Sequence, residues 1–219
     1  MTRPLLPVVV LISGRGSNLK AILDAVANDA LPIELRAVIS NRPDAPGLQY
    51  ARTAGVSAVV VDHRDCADRA TFEQLLMRTI DATLGSSTHG LVVLAGFMRV
   101  LGAEFVNHYR GRLINIHPSL LPAFPGLDTH ARALAAGATL HGASVHFVTP
   151  DVDGGPIITQ AKVPVHAGDT PATLAARVLK EEHRVLPLAI RWFAEGRLSV
   201  AENRVLLDDR ERPETGKVC

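Results

Sequence analysis

The chain has 219 residues, of which 47% are hydrophobic and 21% are charged, a composition typical of a globular protein and not of a disordered one. Its formal net charge is only +1, whereas proteins that bind nucleic acid or an anionic membrane are often strongly basic. We therefore expect neither partner. Two distant cysteines, Cys66 and Cys219, form neither a disulfide framework nor a metal-ligand cluster, which predicts no metal site and a reducing, cytoplasmic location.

Strand and helix patterns alternate along the first half of the chain. A β-branched run at residues 7–13 is typical of a parallel strand buried on both faces, and apolar residues recur at helical spacing over 19–27. Further strands are predicted at residues 33–40, 58–61, 90–95 and 112–117. Further helices are predicted at residues 46–54, 68–84, 103–109 and 128–136. This alternation predicts an α/β fold with an open, mostly parallel, Rossmann-like twisted sheet and helices on both faces.

Two of these helices carry more detailed predictions. The helix at 68–84 is amphipathic, and four apolar side chains are predicted on its buried side: Phe72, Leu75, Leu76 and Ile80. Asp128 is predicted to be the N-cap of the helix that follows it, because a short acidic side chain can accept a hydrogen bond from an unpaired N–H of the first turn.

The pattern changes after residue 140. Polar and apolar residues alternate over 141–149 and 157–165, which predicts an antiparallel pair with one wetter face, as a C-terminal extension of the same sheet. The loop between them, 150–156, carries two carboxylates and a Gly-Gly hinge. A long helix at 173–195, kinked at Pro187, and a hairpin follow, and the charged tail at 209–219 is predicted to be frayed.

The segment Gly14-Arg15-Gly16-Ser17-Asn18 joins the first strand to the first helix. Main-chain N–H groups at such a helix N-terminus favour an anion, which predicts a phosphate site. Leu19 stands where the dinucleotide-binding fingerprint has its third glycine or alanine, and no P-loop lysine follows. A tight turn in which the glycines only permit positive φ remains the alternative.

Asn115 and His117 lie two residues apart at the end of a predicted strand. Side chains at i and i+2 share one face of a strand, and Pro118 ends the ladder after them. An amide donor beside an imidazole suits stabilisation of an oxyanion and transfer of a proton, whereas the alternative is two satisfied polar residues at a strand edge. Because the glycine loop and the segment 96–101 also follow strands, all three are expected where open α/β sheets bind ligands.

Four motifs together resemble the glycinamide ribonucleotide formyltransferase family of the folate-dependent formyltransferase superfamily. They are S-G-R-G-S-N-L at 13–19, L-A-G-F-M-R-V-L at 94–101, I-N-I-H-P-S-L-L-P at 114–122 and V-D-G-G-P at 152–156. The resemblance runs from about residue 8 to about residue 208. It implies an enzyme of de novo purine biosynthesis that moves a formyl group from 10-formyltetrahydrofolate to the amine of glycinamide ribonucleotide. It also implies one domain over 1–219, with a phosphate-binding half at about 7–100 and a catalytic, folate-binding half at about 101–208.

The resemblance also implies roles for individual residues. Asn115 would donate to the oxyanion, His117 would act as the acid that stabilises it, and Asp153 would orient His117 and favour its imidazolium form. The loop residues Gly16, Ser17 and Asn18 would bind the 5′-phosphate, and Glu182 the ribose. The implied folate-binding residues are Arg69, Met98, Arg99, Val100, Leu101, Thr149, Pro150, Asp151 and Val152. The family often has a polar residue such as glutamine at the position of Leu179, so either Lys180 or the glycine loop alone would serve the phosphate here.

Several alternatives stay open from the sequence. Within the superfamily they are a formyltetrahydrofolate hydrolase and another formyl-folate transferase, such as the enzyme that formylates initiator methionyl-tRNA. A nucleotide-binding or NAD-dependent Rossmann module is the alternative of another class. The partners expected are small-molecule substrates, with a monomer and a homodimer equally open. His146 is interpreted as either a participant or a wall residue of the site, and His130, His141 and His166 as surface or loop residues.

Overall fold

The computed structural model describes residues 4–85 and 89–211. They fall into two compact units, divided between Ile114 and Asn115. The elements that begin in the first unit are β1 (Leu6–Ile12), α1 (Ser17–Ala27), β2 (Ile33–Ser40), α2 (Gly47–Thr53), β3 (Ser57–Val60), a 3₁₀ turn (His63–Asp65), α3 (Arg69–Leu84), β4 (Leu91–Leu94), α4 (Ala103–His108) and β5 (Leu113–His117). The second unit adds α5 (Thr129–Ala135), β6 (Leu140–Phe147), β7 (Ile157–Pro164), α6 (Pro171–Ala194), β8 (Leu198–Ala201), β9 (Arg204–Leu207) and β10 (Arg210–Glu211).

Seven strands form one sheet in the order β3-β2-β1-β4-β5-β6-β7. β1 pairs in parallel with both β2 and β4, and β2 pairs in parallel with β3. β6 and β7 pair antiparallel at the end of the order. The predicted fold class, an open and mostly parallel α/β sheet with an antiparallel extension, is confirmed.

The core of the first unit is built around β1. Its residues Val8 to Ile12 are each 0% exposed, because β1 has a strand on either side and α3 packs against it. A strand covered on both faces reads as an unbroken apolar run, and this is why no polar residue interrupts the sequence there. Burial of each such aliphatic side chain contributes roughly 1.5–3 kcal/mol.

The second unit packs α6 against β6 and β7. This helix begins with a capping box, in which Thr170 and Thr173 exchange side-chain and main-chain hydrogen bonds, and Pro171 occupies the first turn. Its buried residues, among them Leu174, Val178 and Val185, recur at helical spacing and form the face that meets the strands.

The predicted wetter face of the antiparallel pair is wrong for β6, which is buried from His141 to Phe147. The polar residues of β6 do alternate with apolar ones, but they face hydrogen-bond partners inside the protein and not solvent. Ser144 donates to the main-chain oxygen of Ser119 at 2.6 Å, and the ring of His146 lies 3.2 Å from the amide nitrogen of Asn115. The alternation of polar and apolar residues along β6 therefore reflects a buried cluster of hydrogen-bonded side chains and not a solvent-exposed face.

Two helices differ in detail from their predictions. Leu75 is 41% exposed, and the buried side of α3 instead includes Glu73, whose carboxylate accepts from Arg69 Nε at 2.7 Å and from the Gly102 N–H at 2.9 Å. These hydrogen bonds offset the cost of burying a carboxylate. Asp128 is the N-cap residue of α5, as predicted, but it lies in the left-handed conformation, with φ of 56°, and its side chain makes no cap hydrogen bond with the described residues.

The C-terminal hairpin of β8 and β9 is confirmed, and β10 extends it to three strands. Residues 212–219 of the predicted frayed tail lie outside the described residues. None of the helices described is both long enough and apolar enough to cross a bilayer.

Candidate active site

The second unit brings Asn115, His117 and Asp153 together. Asn115 and His117 come from the end of β5, and Asp153 comes from the loop between β6 and β7. His117 Nδ1 lies 3.4 Å from Asp153 Oδ2, and the side chains of both residues are largely buried. The structure thus joins two segments that are distant in sequence into one polar cluster.

The second nitrogen of His117 faces the loop that follows β5. Nε2 lies 3.0 Å from the main-chain oxygen of Phe124, which can only accept, so Nε2 donates. With Asp153 at Nδ1, each ring nitrogen faces an acceptor. Both ring nitrogens of His117 are therefore close to oxygen atoms of the protein.

Asp153 has further contacts that hold its carboxylate. The Gly126 N–H donates to Oδ2 at 2.8 Å, and His146 Nε2 lies 3.7 Å from Oδ1. Burial raises the pKa of the Asp153 carboxyl, but neighbouring groups, among them the Gly126 N–H and the charge of His117, lower it by more, so the pKa lies below its usual value. Asp153 is therefore a carboxylate at neutral pH.

The loop after β5 is fixed by side chains from three other elements. Ser119 Oγ donates to the main-chain oxygen of Ala123 at 2.6 Å, and Thr129 Oγ1 donates to that of Pro118 at 2.8 Å. Ser144 of β6 accepts from the Leu121 N–H at 3.0 Å, and Gln160 of β7 donates to the Leu121 oxygen at 2.9 Å. The loop, which contains a cis Leu121–Pro122 bond, therefore holds the Phe124 carbonyl in place for His117. Ser144 and Gln160 were not predicted from the sequence, although polar residues on otherwise apolar strands were the signal.

His141 corrects another prediction, because it is 0% exposed and not a surface residue. Its Nε2 lies 3.1 Å from Nδ1 of His130, which comes from α5. Burial, followed by the charge of His130, lowers the pKa of His141 to about 4. Burial is also the main cause that lowers the pKa of His130. The two rings are therefore neutral near pH 7, and His166 is exposed as predicted.

The first unit forms the glycine loop at the C-terminal end of β1. Gly16 is the N-cap of α1 with φ of 74°, so Ser17 and Asn18 are the first residues of the helix. The first N–H groups of a helix have no intrahelical acceptor and can bind an anion. A Cβ on Gly16 would lie 2.6 Å from Gly47 Cα, which means that α2 packs directly on the loop. Gly47 was not predicted from the sequence, since its role depends on contact with a distant turn.

The segment after β4 is tied to the ends of β1 and β2. Ser13 Oγ donates to Asn41 Oδ1 at 2.6 Å and accepts from the Met98 N–H at 2.7 Å. Met98 and Val100 are left 65% and 62% exposed, although both are apolar. Ser13 and Asn41 were not predicted, and they fix the main chain of a segment whose apolar side chains are available to a ligand.

The remaining predicted ligand-binding residues differ in their surroundings. In the first unit Leu101 is buried, Arg99 lies over the Phe72 ring at 5.9 Å and Arg69 is paired with Glu73. In the second unit Val152 and Asp151 are exposed, Thr149 Oγ1 donates to the main-chain oxygen of Asp151 at 3.3 Å, and Pro150 is exposed beside them. Glu182 is 8% exposed on the inner side of α6. Among the described residues, no three His, Cys, Asp or Glu side chains form a group that could hold a metal ion.

Comparison with known proteins shows the family to which the chain belongs. The formyl transferase family model matches residues 6–190. The phosphoribosylglycinamide formyltransferase of Escherichia coli strain K12 is 50% identical over 214 residues, covering 95% of this chain and 97% of that protein. The solved structure of the phosphoribosylglycinamide formyltransferase of Coxiella burnetii, in complex with CHES, is 51% identical with a TM-score of 0.89, covering 97% of this chain and 98% of that one.

A more distant solved structure belongs to a different activity. The formyltetrahydrofolate deformylase of Pseudomonas syringae pv. tomato is 27% identical with a TM-score of 0.85, and the match covers 93% of this chain but 66% of that one. The chain therefore belongs to the formyl transferase family, and the relatives that it matches over nearly their whole length are phosphoribosylglycinamide formyltransferases.

Proposed function

We infer that the chain transfers the formyl group of 10-formyltetrahydrofolate to the primary amine of glycinamide ribonucleotide, a step of de novo purine biosynthesis. The products are N-formylglycinamide ribonucleotide and tetrahydrofolate. The observation that carries this inference is the 50% identity to the Escherichia coli enzyme over 95% of this chain and 97% of that protein. The cluster of Asn115, His117 and Asp153 supplies side chains suited to the chemistry.

The reaction requires a site that stabilises negative charge on the formyl oxygen. The substrate amine attacks the formyl carbon, a C–N bond forms, and the carbonyl electron pair moves to oxygen. Asn115 donates an amide N–H to that oxygen, and His117, held by Asp153 and by the Phe124 carbonyl, supplies the nearby positive charge. When the bond to folate N10 breaks, the oxyanion returns to a carbonyl, and the proton lost by the amine balances the one gained at N10.

Binding of the ribonucleotide is proposed to use both main-chain N–H groups and a side-chain carboxylate. Gly16, Ser17 and Asn18 bind the 5′-phosphate through the start of α1, which needs no side chain at the position of Leu179. Glu182 binds the ribose, and its place on the inner side of α6 supports this role. For the folate, the exposed apolar side chains of Met98 and Val100 fit an aromatic ring system. Arg69, Arg99, Leu101 and residues 149–152 are proposed to complete that binding.

The wider organisation is also a proposal. We propose one formyltransferase domain over residues 1–219, in the cytoplasm, because the family model spans 6–190 and therefore both compact units. Its partners are the two small-molecule substrates, and sedimentation of the purified protein would decide between a monomer and a homodimer.

The second candidate is a formyltetrahydrofolate hydrolase, favoured by the similarity to the deformylase from Pseudomonas syringae. In that reaction water replaces the amine, so the folate substrate is consumed without the ribonucleotide. The lower identity of 27%, against 50% for the Escherichia coli relative, ranks it second.

One assay separates the two candidates. Purified protein is mixed with 10-formyltetrahydrofolate, and tetrahydrofolate is followed with and without glycinamide ribonucleotide. We expect product only when the ribonucleotide is present, and none from the His117→Ala variant. Equal turnover without the ribonucleotide would show that the chain is a hydrolase and not a transferase. Wild-type turnover in His117→Ala would contradict the proposed role of His117.

A further inference from the structure

His146, interpreted from the sequence as either a participant or a wall residue, lies beside Asn115 and Asp153. It comes from β6, the neighbour of β5 in the sheet, and is 2% exposed. Its Nε2 lies 3.2 Å from Asn115 Nδ2 and 3.7 Å from Asp153 Oδ1. The first distance is within hydrogen-bonding range and the second is beyond it, so the hydrogen bond at Nε2 is made with Asn115.

The other ring nitrogen decides which way that hydrogen bond runs. Nδ1 lies 2.9 Å from the main-chain oxygen of Phe147, which can only accept, so Nδ1 carries a proton. In the neutral ring Nε2 then has a free electron pair, and Asn115 Nδ2 donates to it. A cationic ring would instead place an N–H against the NH₂ group of Asn115, which is unfavourable because both are donors.

The backbone around His146 is shaped to hold this ring. The ladder between β6 and β7 shifts register between Val145 and His146, and such irregularities re-aim a side chain beside many active sites. A Cβ on Gly155 would lie 1.8 Å from the Phe147 oxygen. Only glycine can stand there without displacing the carbonyl that fixes the Nδ1 proton of His146. The second glycine of the D-G-G-P motif thus has a steric role.

We propose that His146 is a positioning residue, whose neutral, Nδ1-protonated ring binds one N–H of Asn115 and thereby points the other N–H at the developing oxyanion. The asparagine amide has two donors, and among the described residues its hydrogen bond is this one. Without an acceptor at Nε2, the amide is free to rotate and to present its oxygen to the oxyanion, which repels it. This inference rests on the proposed function for its kinetic consequence.

Steady-state kinetics of two His146 variants give the first test. His146→Leu removes the acceptor and keeps an apolar volume, whereas the amide oxygen of His146→Gln can accept at the position of Nε2. We expect His146→Leu to lower kcat tenfold to hundredfold, less than the roughly 10²–10³-fold loss for an oxyanion donor itself, with little change in KM for either substrate. His146→Gln should regain most of that loss. The exposed His166→Gln variant is the matched control, with unchanged kinetics.

A double-mutant cycle shows whether His146 acts through Asn115. In an Asn115→Ala background, His146→Leu should cause no further loss of kcat, because the group that it positions is gone. The same loss in both backgrounds would overturn the proposal and indicate an effect through Asp153 or through the fold. A thermal unfolding midpoint for each variant shows whether it is folded.

Nitrogen NMR of the histidine rings in the wild-type protein tests the same idea without turnover. The His146 signals, assigned by their loss in His146→Gln, should show a protonated Nδ1 and an unprotonated Nε2 at neutral pH. A doubly protonated ring would overturn the proposal. A wild-type protein that transfers no formyl group would refute the proposed function. The spectrum would still show whether Nε2 of His146 accepts a hydrogen bond from Asn115.

Discussion

The glycine loop of the first unit offers an anion main-chain N–H groups, whereas the cluster in the second unit offers side-chain atoms. In the loop, Gly16 is the N-cap of α1, which begins at Ser17. The helix itself therefore aligns the main-chain N–H groups of its first turn. In the cluster, Asp153 reaches His117 from 36 positions along the sequence, and Gly126 and Phe124 hold both in place.

The difference decides how each site responds to substitution. A site made of main-chain groups tolerates changes of side chain, provided that the backbone keeps its path. A site made of side chains loses a catalytic group with each substitution, even when the fold is intact. Substitutions should therefore have their largest effect on activity in the side-chain cluster and their smallest in the glycine loop.

Replacing Asp153 with asparagine should abolish most of the activity. The change removes the charge that faces His117, and we expect kcat to fall by about 10²–10⁴-fold, the usual contribution of a positioned acid–base group. Asp153 has φ of 52°, a conformation that asparagine also tolerates, so the fold should persist. Steady-state turnover of 10-formyltetrahydrofolate measures the effect.

The matched control is Asp209→Asn, an exposed aspartate with φ of 57°. It should keep the wild-type kcat. A folded Asp153→Asn variant with wild-type turnover would show that the carboxylate is not required. The proposed role of the contact between Asp153 and His117 would then be wrong.

The buried histidines should make the folded state sensitive to acid. The pKa of His141 is about 4 in the folded state against 6.5 for an ordinary histidine, so between these values the unfolded chain binds a proton that the folded chain does not. The contribution is therefore fully present above pH 6.5 and is lost as the pH falls towards 4. We expect the free energy of unfolding to fall by up to about 3 kcal/mol from this group.

Urea unfolding at pH 7 and pH 4.5 measures that loss. The His141→Gln variant should lose less stability over this interval than the wild type, and His166→Gln, at an exposed histidine, should lose as much as the wild type. An equal loss in the wild type and in His141→Gln would mean that another group causes the acid sensitivity.

Within the glycine loop, Gly16→Ala should damage the backbone that the site depends on. At φ of 74° a Cβ costs about 1–2 kcal/mol, and here it would also meet Gly47 Cα at 2.6 Å. Gly14→Ala is the matched variant for stability, because a Cβ there meets no described atom within 4 Å. Thermal unfolding should show the larger loss for Gly16→Ala, and equal midpoints would contradict the close contact with α2.

The smallest effect is expected for Ser17→Ala. The N–H of residue 17 is kept, so only a hydroxyl hydrogen bond to the phosphate is lost, and KM for the ribonucleotide should rise roughly two- to tenfold with kcat unchanged. Ser57→Ala, at an exposed strand position, should leave both constants unchanged. A loss far larger than tenfold would show that the loop binds through its side chain, and the contrast between the two sites would fail.

Local patterns were enough to predict most of the fold. The apolar run of β1, the alternation of strands and helices, and the antiparallel pair β6–β7 follow from periodicities that each segment carries within itself. The glycine loop was predictable for the same reason, because a strand, a glycine turn and a helix are consecutive. The side of β5 shared by Asn115 and His117 also follows from their spacing.

Only the tertiary structure decided which distant groups meet. Leu75 faces solvent while Glu73 is buried, because Arg69 and Gly102 supply its hydrogen bonds. His141 is buried beside His130, although the prediction from the sequence was the same for His141 as for the exposed His166. His146, for which the sequence left two interpretations open, lies close to both Asn115 and Asp153. Periodicity determines the face on which a side chain stands, whereas its burial and its hydrogen bonds depend on the neighbour that packs against that face.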